Sequence, residues 1–187
     1  MTIGVLALQG DFAEHRRAFE ELGAQTREVR TAADLAVVDA LVMPGGESTT
    51  MLKLLEIESL KEPLRRFGES KPIFAACAGA ILLAKQVTHP VQDSLALVDI
   101  DVERNAYGRQ VHSTVTRIGL EDSGEELEAV FIRAPIIRRC GAGVRVLARH
   151  RGDPVLVSSG RHLVATFHPE LSTDRTVQRK FLESVAR

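Results

Sequence analysis

Ile73-Phe74-Ala75-Ala76-Cys77-Ala78-Gly79-Ala80-Ile81-Leu82-Leu83 is the stretch from which the rest of the chain is read. An apolar strand runs into a thiol with small residues on both sides, and an apolar helix starts at once. This is the pattern of a nucleophile elbow, in which one side chain stands on a strained strand-to-helix turn and its neighbours must be small to avoid collision. A thiolate there faces the positive end of the helix dipole, which lowers its pKa from about 8.5, and free backbone N–H groups at the same place can hold an oxyanion. Two readings of Cys77 stand at this point. It is an activated nucleophile, or it is one small residue in a closely packed run, since free cysteine is among the most buried residue types.

Outward from the elbow, strands and helices alternate. Ile3 to Leu8 is a continuous apolar run, suited to a strand buried on both faces of a parallel sheet. Phe12, Phe19 and Leu22 then recur at helical spacing, with Glu14, Arg16, Arg17 and Glu20 on the other face and Gly23 as the stop. Thr26 to Val29 reads as a second strand, a short helical turn follows Thr31, and Ala40 to Met43 is a third strand ending at Pro44. A helix begins near Ser48, and Ser59-x-x-Glu62 has the form of a capping box opening another helix before Pro72 and the elbow strand. Such alternation implies right-handed crossovers and a three-layer α/β fold: a mostly parallel central sheet with helices on both faces. From Leu95 to Phe167 the pattern changes to short period-2 runs, among them a hairpin joining Val155-Leu156-Val157 to Leu163-Val164-Ala165 through Ser159-Gly160-Arg161, which predicts an antiparallel extension. Thr173 to Arg187 closes the chain as an amphipathic helix.

Composition bounds the function. At 187 residues the chain corresponds to one domain over residues 1–187, at roughly 150 residues per domain, and folding buries about 70% of its surface without staples. Cys77 and Cys140 are the two cysteines. They are too few for a disulfide framework and point to an intracellular protein, although one bond between them is open on sequence grounds. Lys plus Arg is 24 against 25 for Asp plus Glu, and the basic pairs are scattered, so the footprint of a nucleic-acid binder is missing. The nearly apolar run from Ile73 to Ala84 falls short of the roughly 18 residues that span a bilayer, and no basic leader precedes the first strand. A cytoplasmic protein is expected. Cys140 has no histidine beside it and no second cysteine at metal-ligand spacing, so neither a metal nor another cofactor is expected.

Two further strand ends carry chemistry. In Phe167-His168-Pro169-Glu170 the i and i+2 side chains of an extended segment point the same way, so Glu170 can orient the His168 ring and leave the other nitrogen for a thiol; the competing reading is a plain turn before a helix. In Pro44-Gly45-Gly46-Glu47-Ser48-Thr49 adjacent glycines let backbone N–H groups approach an anionic intermediate; the competing reading is a tight turn with a Ser or Thr helix cap. No Gly-Lys-Ser/Thr follows, which excludes a phosphate loop. The remaining histidines, His15, His89, His112, His150 and His162, read as surface residues. In a doubly wound sheet the three strand ends share one rim.

The segments Leu8-Gln9-Gly10, Pro44 to Thr49, Cys77-Ala78-Gly79, Glu103-Arg104-Asn105-Ala106-Tyr107-Gly108-Arg109-Gln110, Phe131-Ile132-Arg133-Ala134-Pro135 and Phe167 to Leu171 together resemble the class I, triad-type glutamine amidotransferases. Within them the chain is similar to the glutaminase subunits of pyridoxal 5′-phosphate synthase. The resemblance implies Cys77 as nucleophile, His168 as acid and base, and Glu170 as its orienter. It further implies an oxyanion hole from the backbone N–H groups of Gly46 and Ala78, and L-glutamine held by Gly45, Gly46, Glu47, Arg104, Ile132 and Arg133. Of these, Arg104 suits the substrate carboxylate because its planar fork pairs bidentately. A separate synthase subunit, assembled as a dodecameric core carrying the glutaminase subunits, is the implied partner. The elbow departs from the usual Gly-Thr-Cys-Ala-Gly in having Ala75 and Ala76, which puts its fine geometry in question. The rival functions are another elbow-cysteine hydrolase, peptidase or deglycase-like, and a glutamine-sensing subunit without turnover.

Overall fold

The computed structural model describes residues 1–105 and 113–186; Ala106 to Gln110 of the Glu103 motif, together with His112 and Arg187, lie outside the described residues. In chain order the elements are β1 (Thr2–Leu6), α1 (Phe12–Glu20), β2 (Gln25–Val29), α2 (Ala32–Ala36), β3 (Ala40–Met43), α3 (Ser48–Ile57), α4 (Lys61–Ser70), β4 (Ile73–Ala76) and α5 (Ala78–Leu83). Then follow β5 (Ala84–Thr88), β6 (Val98–Glu103), β7 (Thr114–Gly119), β8 (Glu126–Phe131), β9 (Ile136–Cys140), β10 (Val144–His150), β11 (Asp153–Ser159), β12 (His162–Ala165), a 3-10 turn (Pro169–Leu171) and α6 (Thr176–Val185).

A seven-stranded sheet in the order β10-β11-β12-β4-β3-β1-β2 organises them. From β2 through β1, β3 and β4 to β12 every pair is parallel, and β11 and β10 continue the sheet antiparallel. Side chains alternate across it. Leu41, Met43, Ile73 and Ala75 enter one core with residues of α2, α3, α4 and α5, whereas Ala40, Val42, Phe74 and Ala76 enter the other with Phe19 of α1 and Val177 and Phe181 of α6. A strand sandwiched in this way needs apolar residues at every position, which is why the runs were continuous rather than alternating. The three-layer α/β architecture with an antiparallel extension is therefore as the sequence implies. Among the described residues no helix is long and apolar enough to cross a membrane.

Several local expectations are corrected. The stretch from Leu95 to Phe167 is not one extension: β10, β11 and β12 join the main sheet, β6 and β9 form a small sheet with the preceding β5, and β7-β8 form another. β5, parallel to β6, was hidden by its polar Lys85 and Gln86. Ser59 and Glu62 form no capping box. Ser59, at φ 54°, instead ends α3, with Leu60 N–H donating to Leu55 O at 2.8 Å and Ser59 N–H to Glu56 O at 3.1 Å, the bonds of a Schellman turn, while Glu62 pairs with Arg65 and Arg66. The last helix starts at Thr176 rather than Thr173, because the Asp174 carboxylate accepts the Thr176 N–H at 2.9 Å.

Candidate active site

Four adjacent strands, β12, β4, β3 and β1, stop at the same rim of the sheet, and each hands its next residues to one cleft of about 420 Å³. From β12 comes His168, from β4 Cys77, from β3 Gly46 and Glu47, and from β1 Gln9, Gly10 and Asp11; Gly45 is buried behind the loop and does not line the cleft. Ligand sites of open parallel sheets gather at this edge.

Cys77 is the cap residue of α5 and adopts φ 46°, ψ −101°, a positive-φ conformation outside the left-handed helical basin that a non-glycine residue holds only when its surroundings enforce it. Its N–H donates to Ala165 O at 2.9 Å, continuing the ladder between β4 and β12 to the turn itself. Small neighbours are required as the elbow reading holds: a Cβ on Gly79 would stand 2.5 Å from the Met43 carbonyl oxygen. The departure at Ala75 and Ala76 falls within the regular ladder of β4, where Ala75 pairs with Met43 and Val164, so its methyl group meets core side chains and not the turn.

His168 Nδ1 lies 2.7 Å from Glu170 Oε1, with both residues buried. The pairing forms through the 3-10 turn Pro169–Leu171 rather than the extended segment expected, and His168 N–H is tied to Val130 O at 2.8 Å. Burial opposes charge on the ring, but the Cys77 sulfur, which favours the ring's cationic form by carrying the negative charge of the pair, and the Glu170 carboxylate outweigh it, and His168 is pushed up to about 10. The raised value makes the ring a strong base, able to take the proton of Cys77 and hold it as an imidazolium. Glu170 stays below its ordinary value: burial pushes it up, and the His15 and His168 rings more than offset this. Asp11 Oδ2 is a second carboxylate, 3.5 Å from His168 Nδ1.

The surface reading of the other histidines is corrected at two positions. His15 is fully buried and its Nε2 lies 3.2 Å from Glu170 Oε2. His162 is also buried, its Nδ1 accepting the Ile73 N–H at 3.2 Å, and burial lowers it to about 4. His15 could have been found: Phe12, His15, Phe19 and Leu22 share one helical face. Asp11 carries no such local signal.

Around Cys77, Gly45 approaches His168 so closely that a Cβ would sit 2.4 Å from the ring Cε1. Gly46, at φ +139°, abuts the Gln9 amide, whose Oε1 accepts the Glu47 N–H at 3.1 Å. The cap of α3 is Glu47 and not a serine or threonine: its carboxylate accepts the N–H groups of Thr49 (3.1 Å) and Thr50 (2.7 Å). Burial raises Glu47, yet these bonds prevail and hold it at about 2. Arg104 reaches into the cleft from the end of β6, its Nη2 donating to Thr49 Oγ1 at 3.1 Å and standing 3.4 Å from Glu47 Oε1. Ile132, Arg133 at φ 44°, and Pro135 form the facing wall. The Ala78 N–H, at the first position of α5, has no acceptor within its helix and is placed beside Cys77.

Asp11, His168 and Glu170 also bring ligand-type atoms within 4.8 Å of one another, the spacing of a cation site. His168 Nδ1, the atom such an ion would use, is the one already paired with Glu170. Cys140 is half-buried and free, and burial pushes its thiol up, away from reactivity.

The chain as a whole is similar to known proteins. Residues 5–187 match the SNO glutamine amidotransferase family. The chain is 56% identical to the pyridoxal 5′-phosphate synthase subunit PdxT of Solibacter usitatus, covering 98% of each chain. It is 48% identical to that of Thermotoga neapolitana, over 99% of this chain and all of the other. Among solved structures, a glutamine amidotransferase crystal structure superposes with a TM-score of 0.92 at 46% identity, covering 99% of both chains.

Proposed function

Because the chain belongs to the SNO glutamine amidotransferase family, we propose that it hydrolyses L-glutamine to L-glutamate and ammonia and delivers the ammonia to a synthase subunit that makes pyridoxal 5′-phosphate. Its similarity to PdxT subunits over full length supports the reaction and the partner. The observation that carries the chemistry is the convergence of Cys77, His168 and Glu170 from the ends of adjacent strands, with His168 bonded to Glu170 at 2.7 Å.

In this reading Cys77 Sγ, its proton passed to His168, attacks the side-chain carboxamide carbon of glutamine. The backbone N–H groups of Gly46 and Ala78 stabilise the oxyanion that forms. Collapse of the tetrahedral intermediate breaks the C–N bond, and His168 gives its proton to the departing ammonia. A water, deprotonated by His168, then attacks the glutamyl thioester, and release of glutamate restores the thiol. Glu170 fixes the ring and stabilises its cationic form. Arg104 binds the substrate carboxylate, while Gly46, Glu47, Ile132 and Arg133 complete the glutamine pocket.

Residues 1–187 act as one glutaminase domain, in the cytoplasm, and dock on a dodecameric synthase core. Glutamate release measured with and without the synthase subunit tests the reading. Cys77→Ala should lower it by about 10³-fold or more, while Cys140→Ala leaves it intact. Turnover surviving in Cys77→Ala would sink the mechanism.

A further inference from the structure

Helix α1 brings to the triad a residue that the mechanism above leaves unused. His15 is wholly buried, and its ring meets Phe74 edge-on at 5.9 Å and 77°. Its Nε2 stands 3.2 Å from Glu170 Oε2, the carboxylate oxygen that His168 does not occupy. At this distance the ring N–H is poorly aimed: His15 Nδ1, His15 Nε2 and Glu170 Oε2 all lack a directed hydrogen bond among the described residues. Burying an imidazole and half a carboxylate in this state is costly, and a leucine would fill the same face without that cost. The groups that face His15 are Glu170, His168, Asp11 and Glu14. Burial dominates them and pushes His15 below its ordinary value, so the ring is neutral in the neutral range and has one N–H to give.

We propose that His15 is a positioning residue for the reaction: a small rotation of its ring aims Nε2–H at Glu170 Oε2, 3.2 Å away, and the carboxylate is then held with Oε1 on His168 Nδ1. A carboxylate fixed at one oxygen still pivots about its Cγ–Cδ bond; fixed at both it cannot, and the His168 ring is oriented in turn. The constellation then runs Cys77, His168, Glu170, His15, with its last member carried by α1 and not by a strand end. The inference rests on the reading of His168 and Glu170 as base and orienter.

The test compares His15→Phe, which keeps the ring packing and removes the donor, with His15→Gln, which restores an N–H near the Nε2 position. Both are assayed for glutamate release in complex with the synthase subunit across pH. Rates are normalised to Cys77 sites titrated by a glutamine-mimicking electrophile, so that misfolded protein is not counted. Loss of a hydrogen bond to a charged group predicts a kcat about tenfold lower in His15→Phe with KM within about twofold. The acid limb of the pH profile should move to higher pH, because the Glu170 carboxylate loses a donor, and His15→Gln should recover most of both. A wild-type kcat and acid limb in His15→Phe overturns the proposal. So does equal loss in both variants with an unmoved acid limb, the signature of packing alone. Glu170→Gln run alongside separates the two levels: full turnover there removes the triad reading itself, whereas loss there with an unaffected His15→Phe removes only the role of His15.

Discussion

Gly45→Ala is the substitution whose effect the geometry fixes most tightly. The added Cβ would lie 2.4 Å from His168 Cε1 and 2.9 Å from its Nδ1. Gly45 is not among the residues with positive φ, so alanine meets no backbone strain there and the clash is the whole perturbation. Carbon atoms pack at roughly 3.5 Å, so the ring or the loop must retreat by about 1 Å. The ring has little freedom to move: Nδ1 is held at 2.7 Å by Glu170, and the His168 backbone is tied to Val130 and followed by Pro169. A displacement of this size between catalytic groups costs about 10²-fold in rate. We therefore expect kcat for glutamate release to fall about 10²-fold in Gly45→Ala, with KM changed far less, since the alanine methyl points at the base rather than at the substrate carboxylate. Steady-state kinetics on enzyme whose thermal unfolding is unchanged is the assay. A kcat within about threefold of wild type would refute the argument that the loop and the His168 ring are in fixed contact.

Two further outcomes follow from the charges. Arg104→Ala should raise KM for glutamine by about 10- to 100-fold, the worth of a charge-assisted pair, with kcat affected less; an unchanged KM would remove Arg104 from substrate binding. His162 governs an acid-side loss of stability. Its folded pKa of about 4 lies below the ordinary 6.5, so as pH falls through 6.5 the unfolded chain takes up a proton that the folded one refuses, and stability declines until about pH 4. Between about pH 8 and about pH 5 this amounts to roughly 2 kcal/mol. His162→Asn keeps an acceptor for the Ile73 N–H and cannot titrate. Urea unfolding at the two pH values should show a smaller loss in the variant by that amount, and identical losses would disprove the assignment.

Much of this protein was legible because the relevant signals are local. Strand β4, the turn at Cys77 and helix α5 are specified by contiguous residues whose size and polarity state the geometry. The continuous apolar runs of β1, β3 and β4 declare burial on both faces, hence a parallel sheet, hence a common rim. The Schellman turn at Ser59 shows the limit of such reading. Ser59-x-x-Glu62 fits a helix start, but whether a residue ends one helix or begins the next depends on which backbone groups still lack partners, and α3 claimed it first.

By itself the sequence determined which groups could do chemistry and in what order the elements carrying them arise. It set Cys77 between an apolar strand and an apolar helix with small neighbours, and His168 two residues from Glu170, both consequences of covalent neighbourhood. Only the tertiary structure decided what faces these groups from elsewhere in the chain. That His15 lies 3.2 Å from Glu170 Oε2, Asp11 beside His168, and Gly45 against the His168 ring depends on where α1 and the β3 loop pack relative to the end of β12. The physical reason is one of range. Helical periodicity could bury His15, because burial is a property of a face, but its partner is set by the close packing of segments distant in sequence, where shifts of about 1 Å decide whether two groups interact.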